Sequence, residues 1–335
     1  MKISEYEIDL EEAVKTINKK NFKRVLLQIP EGLKVHVSSF VDYIEKNTKA
    51  EVIISANPCF GACDIAYYEL NELDVDFLIH IGHTSIPELG KQKNVMFLNA
   101  RSELDVTKVL EKAIPLLKAK KIGIVSTAQH AHKLEQVKTI LRNKGFETFI
   151  GKGDSRIKLE GQILGCDFSS ARSISKEVEM FLFIGSGNFH PLGLQLSTDK
   201  KVIACDPYTH EVKSTEDLKE MVLRQRYGAI ARAKSCRIFG ILIGTKKGQQ
   251  RIDLALTIKE KLSNAQKKSY LLALDYFSPS VLETFAVFDC FVSTACPRIA
   301  IDDYMQYKKP ILTPVELDIL LNYKKWEDYS FDEIS

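Results

Sequence analysis

One pattern constrains this chain more than any other, and it starts three times. Near residues 24, 121 and 237 a short apolar strand runs into a small turn and then a helix, at QIPEGLK, STAQHAHK and GTKKGQQR. The spacing is on the order of one hundred residues, the size of a domain. In the first round, residues 25–29, 52–54, 77–81 and 95–98 read as fully buried strands, the form expected in a parallel sheet covered on both faces. Residues 33–45 carry apolar side chains at helical spacing between them. The second round takes 121–126, a helix at 134–143, then 147–150, 180–184 and 202–204. The third takes 237–243, a helix at 252–262, then 270–274, 288–292 and 310–313. Alternating strand and helix is the α/β signature. The expectation is three similar α/β domains, a triplicated parallel-sheet unit, at 1–104, 105–212 and 213–335. A single long doubly wound sheet is the alternative.

Composition narrows the function. Hydrophobic residues are 45% and charged residues 27% of the 335, an ordinary globular profile. Lys+Arg 47 against Asp+Glu 44 leaves a formal charge of +3, which argues for neither direct nucleic-acid binding nor an anionic membrane surface. The opening MKISEYEIDLEEAVK has no hydrophobic core of a signal peptide. The longest stretch free of Asp, Glu, Lys and Arg, 180–198, contains Gly185, Gly187, Asn188, His190, Pro191 and Gly193, so no bilayer span is expected. Seven cysteines are an odd number and too sparse for a disulfide scaffold. A cytoplasmic chain is expected, with thiols free for metal or redox chemistry.

In an open α/β sheet, ligands bind beyond the carboxyl ends of the strands. The loop GSGNFHPLG (185–193) follows one strand. Its glycines admit a close ligand, and Asn188 and His190 add hydrogen-bonding groups. The loop GTKKGQQ (244–250) sets Gly244 and Gly248 around two lysines at a predicted helix start, where an anion is favoured. Neither is a dinucleotide fingerprint or a Walker A loop. Cys63 (ANPCFGACD), Cys166 (GQILGCDFSSAR) and Cys296 (STACPRIAIDD) each follow a predicted strand, one per round. Cys205, Cys236 and Cys290 sit in or beside apolar runs and read as small hydrophobes. Spacing alone leaves the first three either as ligands of one metal group or as unrelated structural thiols. The stretch 223–234, LRQRYGAIARAK, reads as a basic helix with a solvated face, or as a docking surface.

Taken together, FGACD, LGCD, GNFHPLG, GTKKGQ and TACPRIAIDD, with QIPEGL and HIGHTS, resemble the diphthamide-synthesis family, in the same order over nearly the whole chain. These are 2-(3-amino-3-carboxypropyl)histidine synthases of the archaeal homodimeric type. The resemblance implies three α/β domains around a central 4Fe-4S cluster held by Cys63, Cys166 and Cys296. Cys59 falls where the family has another residue and is not carried over. It further implies that S-adenosylmethionine is cut between sulfur and the γ-carbon by an unconventional radical route. The 3-amino-3-carboxypropyl group then passes to C2 of a histidine on translation elongation factor 2, and an electron donor is required. Gly185, Ser186, Asn188 and His190 on one side, and Thr245, Gly248 and Gln249 on another, are the expected S-adenosylmethionine contacts. His83 and His190 read equally well as structural histidines; Arg298 is either a holder of the cysteine loop or a surface ion pair, and Asp302 and Asp303 are expected helix caps. The rival readings are a quinolinate synthase-like cluster enzyme and a non-catalytic, cluster-bearing partner subunit.

Overall fold

The computed structural model describes residues 1–89 and 93–334. It contains three separate sheets in place of one long one. The first has the order Glu51–Ile54, Arg24–Gln28, Phe77–Ile81, Val95–Leu98, all parallel. The second runs Glu147–Phe149, Lys121–Ser126, Met180–Ile184, Lys201–Cys205, again parallel, with Val212–Ser214 added antiparallel at the edge. The third runs Lys268–Leu274, Ile238–Gly244, Cys290–Ser293, Ile311–Leu312. Numbering the strands within each unit, all three sheets share the order 2-1-3-4. That order places a topological switch point between strands one and three. A small antiparallel ribbon of Lys2–Ile3, Tyr6–Glu7 and Arg101–Ser102 flanks the first unit.

Strand alternation decides which face each side chain joins. In the first unit Val25, Leu27 and Ile79 pack under the helices Leu10–Lys20 and Val37–Asn47, while Leu26 and Leu78 point to the opposite cluster with Ala66 and Val75. Each such side chain, fully buried, contributes about 1.5–3 kcal/mol. At the position of Leu26 the other units carry glycine. Gly123 pairs with Phe181 and Gly240 with Phe291, and a Cβ on either glycine would lie 2.4 or 2.6 Å from that ring. Small against large fills one sheet face where the first unit uses Leu26 against Leu78.

A second repeat sits at the start of strand three. Asp76 Oδ2 accepts hydrogen bonds from the backbone N–H groups of Lys23 and Arg24 at 2.7 and 3.0 Å. Glu179 Oε2 does the same for Lys120 and Lys121, and Asp289 Oδ2 for Arg237 and Ile238, all at 2.9 Å. Each acid therefore pins the entry of strand one in its own unit. The paired backbone donors hold all three carboxyls below their ordinary range.

The basic stretch in the third unit keeps its expected solvated face at Arg224, Arg232 and Lys234 but buries one arginine. It belongs to the helix Glu216–Ala233, whose Val222, Arg226, Ala229, Ile230 and Ala233 are buried. Arg226, 1% exposed, is bidentate to Glu316 at 2.7 and 2.6 Å and also reaches the carbonyls of Ala300 and Ile311. Residues 329–334 then cross back onto the second unit. Phe331 meets Phe168 edge to face, and Ile334 N donates to the Cys166 carbonyl at 2.8 Å. Among the described residues, no helix is long and apolar enough to cross a membrane.

Candidate metal centre

A cavity of about 390 Å³ lies where the three sheets present their carboxyl ends. Its lining residues come from the segments that follow a strand, both loops and the short or first helical turns beyond them, as at Phe189, His190, Arg298 and Ile299. Cys63 comes from the loop after strand two of the first unit, and Cys166 from the equivalent loop of the second. Cys296 comes from the loop after strand three of the third. All three are free thiols and half-buried.

Their environments are coupled. Burial raises all three thiols above the ordinary cysteine range. The sulfurs of Cys296 and Cys63 push Cys166 further, while burial and Cys63 together bring Cys296 to about 12. Three thiols this close resist ionising together unless a cationic group joins them. Soft sulfur donors from three directions suit an iron–sulfur core, with no fourth cysteine on the cavity wall among the described residues.

The wall is built by contacts between units. Gly248 packs directly on Cys63: a Cβ there would stand 2.4 Å from Cys63 Cβ and 2.7 Å from its Cα. Gln249 Nε2 donates to Cys63 Sγ at 3.3 Å. Lys246 pairs with Asp64 at 2.8 Å and lies over the Phe60 ring, which stacks on Tyr276. Arg251 grips Asp332 with two nitrogens and donates to the carbonyls of Thr294 and Ala295, fixing the loop that ends in Cys296. Arg156, 4% exposed and beside Cys166, joins all three units. Its Nη1 reaches Glu88 and its Nη2 the Gly248 carbonyl, both at 3.1 Å, and its Nε lies 3.9 Å from Asp167.

Of the expected cosubstrate contacts, His190 and Gln249 line the cavity. Gly248 stands behind Cys63, and Gly185, Ser186, Asn188 and Thr245 lie outside the lining. The His190 ring stacks against Phe183, and burial lowers it to about 4. Arg298 lines the cavity, pairs with Asp302 at 2.8 Å and sits over Phe189. Asp303 also lines it, and its side chain makes no capping hydrogen bond to the turn it precedes. Cys59 is buried outside the lining, its sulfur 3.9 Å from His80 Nε2. Cys205, Cys236 and Cys290 belong to the hydrophobic clusters. Sequence reasoning passed over Arg156, Gln129 and Tyr276, which belong to no motif, and gave no role to Phe60, which opens FGACD; all four gain meaning only from what they meet across units.

Three α/β units of one topology, each lending a cysteine to a shared cavity, define a repeat-built protein with a thiol-lined metal centre. The chain belongs to the diphthamide synthesis protein family, whose family model matches residues 29–330. The 2-(3-amino-3-carboxypropyl)histidine synthase of Pyrococcus horikoshii is 39% identical over 98% of this chain and 94% of its own length. That of Methanocaldococcus jannaschii is 31% identical over 96% and 90%. The human protein named as subunit 1 of this synthase is 27% identical over 97% and 74%. The crystal structure of Dph2 from Pyrococcus horikoshii with a 4Fe-4S cluster superposes with a TM-score of 0.89 at 38% identity, covering 98% of this chain and 94% of that one.

Proposed function

We propose that the chain is a 2-(3-amino-3-carboxypropyl)histidine synthase. It moves the 3-amino-3-carboxypropyl group of S-adenosylmethionine to C2 of a histidine on translation elongation factor 2, the first step of diphthamide synthesis. The observation that carries this reading is the meeting of Cys63, Cys166 and Cys296 on one cavity. The names of the relatives and the cluster in the Pyrococcus horikoshii structure support it. In this reading the three cysteines hold a 4Fe-4S cluster and leave one iron open. When bound, the cluster supplies the electron that breaks the sulfonium bond to the γ-carbon.

The chain's own residues then have three tasks. Ile86, Ile163, Leu164, Phe189 and Phe277 give the cavity an apolar wall that keeps water from a reactive carbon. Arg298 is placed for the α-carboxylate of the methionine part, and Asp275 and Asp303 for its ammonium. His190 and Gln249 complete the cosubstrate contacts. Gly185, Ser186, Asn188, Thr245 and Gly248 support those loops from behind. Domains at 1–104, 105–212 and 213–335, a homodimer, a cytoplasmic setting and an external electron donor belong to the same reading. The test is anaerobic incubation with dithionite, S-adenosylmethionine and archaeal elongation factor 2. Modified factor with methylthioadenosine is the expected result. Release of 5′-deoxyadenosine, or quinolinate formation by the reconstituted protein, overturns it.

A further inference from the structure

Besides Leu26, the first unit departs from its two siblings at a second internal position. Where strands one and three pair near their carboxyl ends, the second unit sets Val125 against Phe183 and the third Leu242 against Ser293. The first sets Gln28 against His80, 2% and 0% exposed. A buried polar pair costs stability unless every group is satisfied, so its presence in one repeat of three marks a task.

The hydrogen bonds fix the amide and imidazole protons of this network, leaving only the Cys59 thiol, 3.9 Å from His80 Nε2, free to turn. Gln28 Nε2 donates to the Asp64 carbonyl at 2.7 Å, and Gln28 Oε1 accepts from Ala66 N–H at 3.1 Å. Neither backbone partner can reverse its role, so the amide orientation is set. Gln28 Oε1 is therefore an acceptor, and His80 Nδ1, 2.9 Å away, carries a proton. Neutral His80 then offers a lone pair at Nε2, and His83 Nδ1, also 2.9 Å away, donates to it. The remaining nitrogen, His83 Nε2, is left bare. It has no protein partner among the described residues, and His83 lines the cavity that holds the three cysteines. Burial keeps both rings neutral, lowering His83 to about 4. His83 also stands seven residues past the clamp Asp76, as Cys296 stands seven past Asp289.

We infer that His83 Nε2 is the base that takes the proton displaced when carbon replaces hydrogen at C2 of the acceptor imidazole, with His80 and Gln28 as its positioning residues. The inference rests on the activity proposed above. In that transfer one S–C bond and one C2–H bond break and one C–C bond forms. The electron taken up in cleaving the S–C bond is given back by the adduct to the centre that would supply it, so no net oxidant is consumed, and the hydrogen leaves as a proton. Loss of that proton together with the returned electron restores the aromatic ring, so a weak base that is always unprotonated at neutral pH suffices.

Two measurements test it. In the anaerobic reaction, H83Q should lower the ratio of modified factor to methylthioadenosine at least about ten-fold, with bound iron at the parental level. Q28L should lower the same ratio by a smaller factor. An unchanged ratio in H83Q overturns the role of His83 alone, whereas no methylthioadenosine from the parent chain overturns the activity itself. The second measurement needs no turnover. Nitrogen-15 NMR of the metal-free, histidine-labelled chain should show His83 protonated at Nδ1 and bare at Nε2. The opposite tautomer, or stoichiometric zinc in the purified protein that is lost in C59A, overturns the inference.

Discussion

The first and third units share strand order and acidic clamp, yet the loop after their third strand ends in different chemistry. In the first it delivers His83 to the cavity, and in the third, Cys296. The thiol of the first unit comes from the loop after strand two, where the third unit has Asp275 and Tyr276. Every unit thus provides one sulfur, but not from one inherited position. The sheets are the constant part, and the loops at their carboxyl ends were free to diverge.

The largest effect should come from removing any of the three sulfurs. C63A, C166A or C296A should each reduce bound iron to background after anaerobic reconstitution and abolish transfer. C205A and C290A should retain both, at a cost of about 1–2 kcal/mol in urea unfolding. Equal iron loss in both sets would erase the distinction between cavity and core thiols.

Next comes the scaffold of the third unit. R226M strands the Glu316 carboxylate in the core and should cost about 3–5 kcal/mol, most of which R226M/E316L should recover. Giving the first unit the apolar pair of the second, Q28V/H80F, should cost about 1–3 kcal/mol, because Asp64 O and Ala66 N lose their partner. Its coupling of transfer to cosubstrate cleavage should fall further than that modest loss explains. Full coupling in this variant would mean that the three units are interchangeable at that position.

The smallest effect concerns the clamps. Their carboxyls sit below the ordinary 3.8 of Asp and 4.5 of Glu, so they bind fewer protons folded than unfolded. Their contribution is complete above that range and fades as pH falls through it. D76N, E179Q and D289N should each flatten the acid limb of the stability profile slightly, and to a similar extent. Unequal effects would show that the repeat is not energetically uniform.

Much of this architecture was legible in the residues. Fully apolar strands announced parallel sheets, and three restarts announced three units. Spacing alone leaves Cys63, Cys166 and Cys296 as ligands or as unrelated thiols, and only the resemblance of FGACD, LGCD and TACPRIAIDD to the family singles them out as a set. The clamp was also present in plain text, as VDF, VEM and FDC before each third strand, but an acid before a strand has no meaning until its backbone partners are known. The solvated face of Leu223–Lys234 was legible, but Arg226 looks like any surface arginine until Glu316, ninety residues away, is folded against it. Arg156 was invisible for the same reason.

That guanidinium has a mechanical consequence. Swinging any one unit outward would strip a nearly dry cation of Glu88, of the Gly248 carbonyl or of its neighbour Cys166. The interior is therefore not a clam that gapes to admit its guest. On the function proposed above, the acceptor histidine would have to reach the cavity without the units parting, and the stacked, half-exposed rings of Phe60 and Tyr276 stand on that cavity's wall.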